Sequence, residues 1–177
     1  MTTARQLIEP ENGLFISRVE LPKEFYWVLG PPAPLAGMKY PRGDFPWYNL
    51  KAAGFAAVVS LHPGSYDPAP LSLVFSEHLE DLVHGGPPSN ADRERGAVER
   101  AVKATLSLLN MKKGVVIHCQ GGRGRTGTVL GCVLRELGYG AGEIIDYLER
   151  LHRKRGKLGW PESDWQADLV RCWANTF

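Results

Sequence analysis

This sequence predicts an α/β fold, a single domain whose central, mostly parallel sheet is flanked by helices. Three observations predict it. Short apolar and β-branched runs alternate with segments whose apolar residues recur at helical spacing, the pattern of parallel strands joined by crossover helices. Two of the runs, 55–61 and 115–117, are almost wholly apolar, as strands buried on both faces are. The chain has 177 residues, 44% hydrophobic and 23% charged, enough for one sizeable core and ordinary for a water-soluble protein.

In chain order, residues 1–12 read as a polar arm within a domain spanning 1–177. From 12 to 30, Phe15, Ile16, Val19, Phe25, Tyr26, Trp27 and Val28 suggest short strands broken at Pro22. Gly30 to Pro34 is a turn, and a loop rich in Pro and Gly leads to a short helix over 45–53, stopped by Gly54. The strand at 55–61 follows, then a surface loop over 62–70 and a further strand over 73–79. Residues 80–88 form an irregular acidic-to-glycine loop. Ser89 and Asp92 match a capping box. The helix behind them carries Val98, Ala101, Val102, Thr105, Leu106 and Leu109 on one face. After the strand at 115–117, Val129, Leu130, Val133, Leu134 and Leu137 mark a buried helix ending at Gly138. Ile144, Ile145, Leu148 and Leu151 stripe another. Ser163 and Gln166 form a second capping box before a last helix.

The formal charge of +2 gives no ground for nucleic-acid or membrane binding. Its basic run, Arg150, Arg153, Lys154, Arg155 and Lys157, reads as a solvated helix end or as a patch beside an anionic substrate. The three cysteines, Cys119, Cys132 and Cys172, have no framework spacing and suit a reducing compartment. No apolar run reaches transmembrane length, and the first residues lack a leader's apolar stretch. A cytoplasmic monomer without membrane insertion is the expectation. His62, His78 and His152 show no metal-ligand spacing, so neither metal nor cofactor is expected.

The densest chemical signal lies at 115–127. Val115, Val116 and Ile117 run into His118 and Cys119; Gln120, Gly121, Gly122, Arg123 and Gly124 make a tight turn; Arg125, Thr126 and Gly127 open a helix. Such a loop aims backbone N–H groups at one point beside a helix N-terminus, which holds an anion. The same positive field favours a thiolate, making Cys119 a nucleophile. The fixed fork of Arg125 suits the oxygens of a phosphoryl group. A lone cysteine is most often a small buried hydrophobe, yet this one stands at a strand end before a glycine-rich turn with two arginines. A nucleotide-binding loop would need Lys before Thr126, and it is missing.

From His118 to Gly127 the chain resembles the signature loop of cysteine-dependent protein tyrosine and dual-specificity phosphatases, His-Cys, five residues, Arg-Ser/Thr-Gly. The order of elements on both sides is similar to that of small atypical dual-specificity phosphatases over nearly the whole chain. The resemblance implies a protein tyrosine phosphatase-like fold with a Cys-x5-Arg phosphate-binding loop, a cysteinyl-phosphate intermediate and no metal. It implies that Gln120, Gly121, Gly122, Arg123, Gly124 and Arg125 bind phosphate, that Thr126 helps the thiolate leave and that His118 orients and tunes Cys119. The family's proton donor is an Asp on an upstream loop. Asp81 best fits that place; His84 and Asp92 remain alternatives, although Asp92 is explained by its helix cap. Gln166 resembles a glutamine that places the hydrolytic water in some relatives, but the capping box accounts for it equally. Cys132, on an apolar helix face, is explained by burial.

The substrate is expected to be a phosphorylated protein, bearing phosphotyrosine and also phosphoserine or phosphothreonine, or a small phosphate ester. A phosphoinositide phosphatase is the alternative suggested by Arg123 and the basic run. A phosphate-binding module without turnover is the alternative of another class.

Overall fold

The computed structural model describes residues 5–10 and 19–174. Its strands are β1 (Tyr26–Leu29), β2 (Leu35–Met38), β3 (Phe55–Ser60), β4 (Ser72–Ser76) and β5 (Gly114–His118). Its helices include α1 (Trp47–Ala52), α2 (Ala91–Asn110), α3 (Gly124–Glu136), α4 (Ala141–Lys154) and α5 (Asp164–Arg171). The strands form one sheet in the order β1-β2-β5-β3-β4. β1 is antiparallel to β2, and the remaining pairs are parallel. The expected α/β architecture with a mostly parallel sheet is what the chain adopts. β5 is the middle strand, so His118 and the residues after it emerge at the carboxyl edge, where open α/β sheets place their ligands.

Alternation along the strands builds two cores. Val115 and Ile117 of β5, Val59 of β3 and Leu35 of β2 join the core covered by α2 to α5. Val116, Val58, Ala36 and Met38 face the other way, onto Trp47 and Leu50 of α1. A strand buried on both sides has no reason to carry polar residues, which is why β3 and β5 stand out in the sequence.

Several elements differ from their sequence expectation. β2 falls inside the stretch read as a Pro- and Gly-rich loop. It is a strand because β5 pairs with it along its whole length, from Leu35 opposite Val115 to Met38 opposite His118. Its Gly37 is required: a Cβ there would stand inside the ring of Tyr26. β4 is shorter than 73–79, and Leu79 instead turns into the main core. The cap of α2 is Asn90, whose side chain accepts the N–H of Arg93 at 3.0 Å. Ser89 is engaged elsewhere, with its N–H and hydroxyl both on the Glu80 carboxylate. Phe15 and Ile16 lie outside the described residues. Residues 5–10, within the stretch read as a polar arm, are docked on the domain: Ile8 donates its N–H to Val28, Arg5 bonds the carbonyls of Gly30 and Ala33, and Tyr147 donates to Ile8.

Because the Gly37 site is filled by an aromatic ring, Gly37→Ala is expected to lower unfolding free energy by about 1–3 kcal/mol, the usual cost of overpacking. Denaturant titration of the two proteins measures it.

Candidate active site

Three glycines in and just after the loop that follows β5 are seated against contacts that leave no room for a side chain. Gly122 has φ +73, a left-handed conformation, and a Cβ there would lie 2.5 Å from the Met38 carbonyl at the end of β2. A Cβ on Gly124 would overlap the Glu162 carboxylate, and one on Gly127 would lie 2.5 Å from the indole nitrogen of Trp160. Trp160 donates that N–H to the Gly124 carbonyl at 3.1 Å. Tyr26, resting over Gly37, donates its hydroxyl to the Gly122 carbonyl at 2.6 Å. On the loop's other flank, the Tyr40 N–H donates to Gln120 at 3.2 Å. α3 then begins with Arg123 as N-cap and no side-chain cap, so the helix's first N–H groups stay open to an anion.

Cys119 is 2% exposed, and its sulfur accepts the Gly122 N–H at 3.2 Å. It lines a cleft of about 350 Å³ together with Gln120, Gly121, Arg123, Gly124, Arg125 and Asp81. Arg125 is only 5% exposed. Its guanidinium donates to the Leu79 carbonyl at 3.2 Å, to Asp81 Oδ2 at 3.3 Å and to His62 Nδ1 at 3.4 Å. Burial, helped by Arg125, holds His62 below the usual histidine range.

Asp81 stands between the buried Leu79 and Leu82, with its own side chain about half exposed to the cleft. Its Oδ1 accepts the Val83 N–H at 3.1 Å. The loop carrying it is held at both ends. Glu94, raised above the usual carboxylate range by burial, accepts the Glu80 N–H at 2.8 Å. Ser163 donates to the Gly86 carbonyl at 2.7 Å. His84 and Asp92 do not line the cleft. His84 is exposed, with Nδ1 accepting the Gly86 N–H, and Asp92 lies in the first turn of α2.

His118 is fully buried under the loop. Its Nδ1 lies 3.2 Å from the Cys119 carbonyl, which can only accept, so Nδ1 carries the proton. Nε2 therefore accepts the hydroxyl of Tyr66 at 2.5 Å. Burial pushes Tyr66 up to about 12, which keeps it a donor, and burial pushes His118 down to about 4. Thr126 is also fully buried, and its hydroxyl has no hydrogen-bond partner among the described residues. Gln166 is buried, with Oε1 accepting from Ser163 and, at 2.9 Å, from Glu162; it completes the α5 capping box and lies outside the cleft lining.

The sequence did not single out Tyr66, Tyr26, Glu94 or Glu162. Tyr66, Tyr26 and Glu162 reach His118 or the loop after it across a long stretch of chain, Glu94 braces the Asp81 loop, and none has a local signature. Among the described residues, no group of three or more His, Cys, Asp or Glu is placed to hold a metal, and no helix is long and apolar enough to cross a membrane.

A family model described as "Polymorphic toxin system, DSP-PTPase phosphatase" matches residues 37–139, a span that runs from the second half of β2 through the Asp81 loop and the whole signature. The chain belongs to this DSP-PTPase phosphatase family. Among curated proteins it is similar to the tyrosine-protein phosphatase cdc-14 of Caenorhabditis elegans, 29% identical over 141 residues, covering 78% of this chain and 18% of that protein. It is also similar to the tyrosine-protein phosphatase cdcA of Emericella nidulans, 24% identical over 142 residues, covering 76% and 22%. The chain thus spans about a fifth of the length of these curated relatives. Two solved structures share the fold. The catalytic core of the PP-IP phosphatase Siw14 from S. cerevisiae has a TM-score of 0.61 at 17% identity, with 89% of each chain covered. P. aeruginosa TpbA has a TM-score of 0.57 at 15% identity, covering 96% of this chain and 91% of its own. The chain therefore carries a domain of the DSP-PTPase phosphatase family.

His118 binds its proton more weakly folded than unfolded, so it contributes stability that is full above pH about 6.5 and drains as pH falls toward about 4. Its imidazole nitrogens, observed by NMR, are expected to report the neutral Nδ1–H tautomer throughout pH 6 to 8, with titration only near the lower value. Tyr66→Phe should mix the tautomers. A midpoint near 6.5 in the unmodified protein would contradict the assignment.

Proposed function

We propose that this chain hydrolyses phosphate monoesters, phosphotyrosine first and phosphoserine or phosphothreonine as well, through a cysteinyl-phosphate intermediate. The observation that carries the reading is one cleft lined by a cysteine sulfur, a buried arginine and a half-exposed carboxylate. In the first step the Cys119 sulfur attacks phosphorus, the P–O bond to the alcohol breaks, and Asp81 gives its proton to the leaving oxygen. In the second, water attacks phosphorus and passes a proton to the Asp81 carboxylate. The S–P bond breaks, and inorganic phosphate leaves with the thiolate restored. Throughout, the N–H groups of residues 120–125 and the Arg125 guanidinium hold the three equatorial oxygens, where transition-state charge spreads. Thr126, its hydroxyl otherwise unpartnered, donates to the departing sulfur, and His118 fixes the Cys119 carbonyl.

What supports Asp81 over the alternatives is access: it faces the cleft, whereas His84 and Asp92 do not. A cleft-facing carboxylate beside Arg125 also favours turnover over mere phosphate binding. The fold itself is neutral between ester classes. Solved relatives include TpbA in complex with pTyr and PTPMT1 in complex with PI(5)P.

Cys119→Ser is expected to abolish turnover of an aryl phosphate. Asp81→Asn should lower kcat on alkyl phosphates by about 10²–10⁴-fold, less on aryl phosphates whose leaving group needs little protonation. The limb of the wild-type pH–rate profile that reports the general acid is expected to be absent in Asp81→Asn. A retained limb with a nearly unchanged rate would move the role to another residue; His84→Asn and Asp92→Asn are the comparisons.

A further inference from the structure

We infer that Glu162 determines substrate class: by occupying the guanidinium of Arg123 it reserves the cleft for esters carrying one phosphate, with no second anionic group beside it. The inference rests on the phosphatase reading above and names the substrate of that same site.

Arg123 is the second arginine of the loop, and on charge alone it would invite a multiply phosphorylated ligand. Its side chain is already committed. One terminal nitrogen donates to the Gly159 carbonyl at 2.6 Å, and the other pairs with Glu162 Oε1 at 2.9 Å. The two side chains are only 16% and 12% exposed, so water screens the pair little. Glu162 is itself fixed. Its backbone N–H donates to the buried Gln166, and its other carboxylate oxygen packs against Gly124 at the start of α3. Burial raises the Glu162 carboxyl, while the neighbouring Arg123 opposes that shift.

The carboxylate lines the same cleft as Cys119 and Arg125. A phosphate in the loop leaves its neighbour on the substrate facing either the ester side or this edge. A second phosphate at this edge would meet a held carboxylate, and like charge brought against a desolvated group is strongly rejected. At the rim, Lys157 is similarly paired with Glu24. Lys39 is the cleft cation with no partner among the described residues, and it stands exposed at the mouth. Specificity here comes from a placed repulsion as much as from attraction.

Competitive inhibition of aryl phosphate hydrolysis by orthophosphate and by tripolyphosphate tests this with the full chain. Wild type should bind tripolyphosphate no more than about threefold tighter than orthophosphate, and Glu162→Gln should open at least a tenfold gap, roughly one like-charge contact removed. Replacing Arg123 by Gln in that background should close the gap again. A wild-type preference for tripolyphosphate of tenfold or more overturns the inference even if neither variant folds. So does an equal shift of both inhibitors in Glu162→Gln, or a gap that survives the double substitution. Absence of aryl phosphate turnover in wild type would count against the phosphatase reading instead, and calorimetric titration of the same two anions would still decide the role of Glu162.

Discussion

The seating of the loop between Cys119 and Arg125 is the constraint from which the other features follow. A backbone that turns all its N–H groups inward leaves its carbonyls pointing outward, and buried carbonyls need donors. Tyr26 serves Gly122, Trp160 serves Gly124 and Tyr40 serves Gln120. Those donors come from β1, from the segment before α5 and from the end of β2, so the loop recruits distant parts of the fold as its supports. The same contacts explain the glycines. Gly122, Gly124 and Gly127 each lie where a neighbour fills the space a Cβ would take. All three are therefore packing requirements, and Gly122, with its left-handed φ, is a conformational one as well.

Charge is distributed with comparable economy. Arg125 alone is buried facing the cleft with a partner, Asp81, that remains half exposed. The basic run that could have been a substrate patch is mostly consumed by structure. Arg150 and Lys154 hold Glu9, Arg153 holds Glu149, and Arg155 and Lys157 hold Glu24. Arg155 also lies 4.2 Å above the Tyr26 ring that supports the loop. Surface ion pairs of this kind add little stability individually. Their consequence here is electrostatic, since they remove free positive charge from around the cleft.

How much of this could be read from the sequence depends on how local each signal is. The strand, turn and helix at 114–136 declare themselves because β-branched residues, glycines and an arginine follow one another within a few positions. The α5 capping box is equally local and is present. β2 was illegible because four residues flanked by prolines and containing Gly37 have little strand propensity of their own; pairing with β5 makes them a strand. The capping residue of α2 moved from Ser89 to Asn90 because Glu80 captures Ser89, a tertiary competition no motif encodes. The sequence leaves the proton donor open among Asp81, His84 and Asp92, and they separate only when the cleft shows which of them faces it. Tyr66 and Glu162 act on the loop from 52 and 39 positions away from their partners His118 and Arg123, respectively, by bonds whose ends share no pattern.

The central claim is that phosphate passes through Cys119. Rapid quenching of the protein with an aryl phosphate, followed by intact-mass measurement and peptide mapping in acid, tests it most directly. The account predicts one phosphoryl group per chain, on Cys119 and absent from Cys132 and Cys172, formed within a burst and enriched in Asp81→Asn. Steady turnover with no adduct on Cys119, or turnover that survives Cys119→Ser, would contradict it.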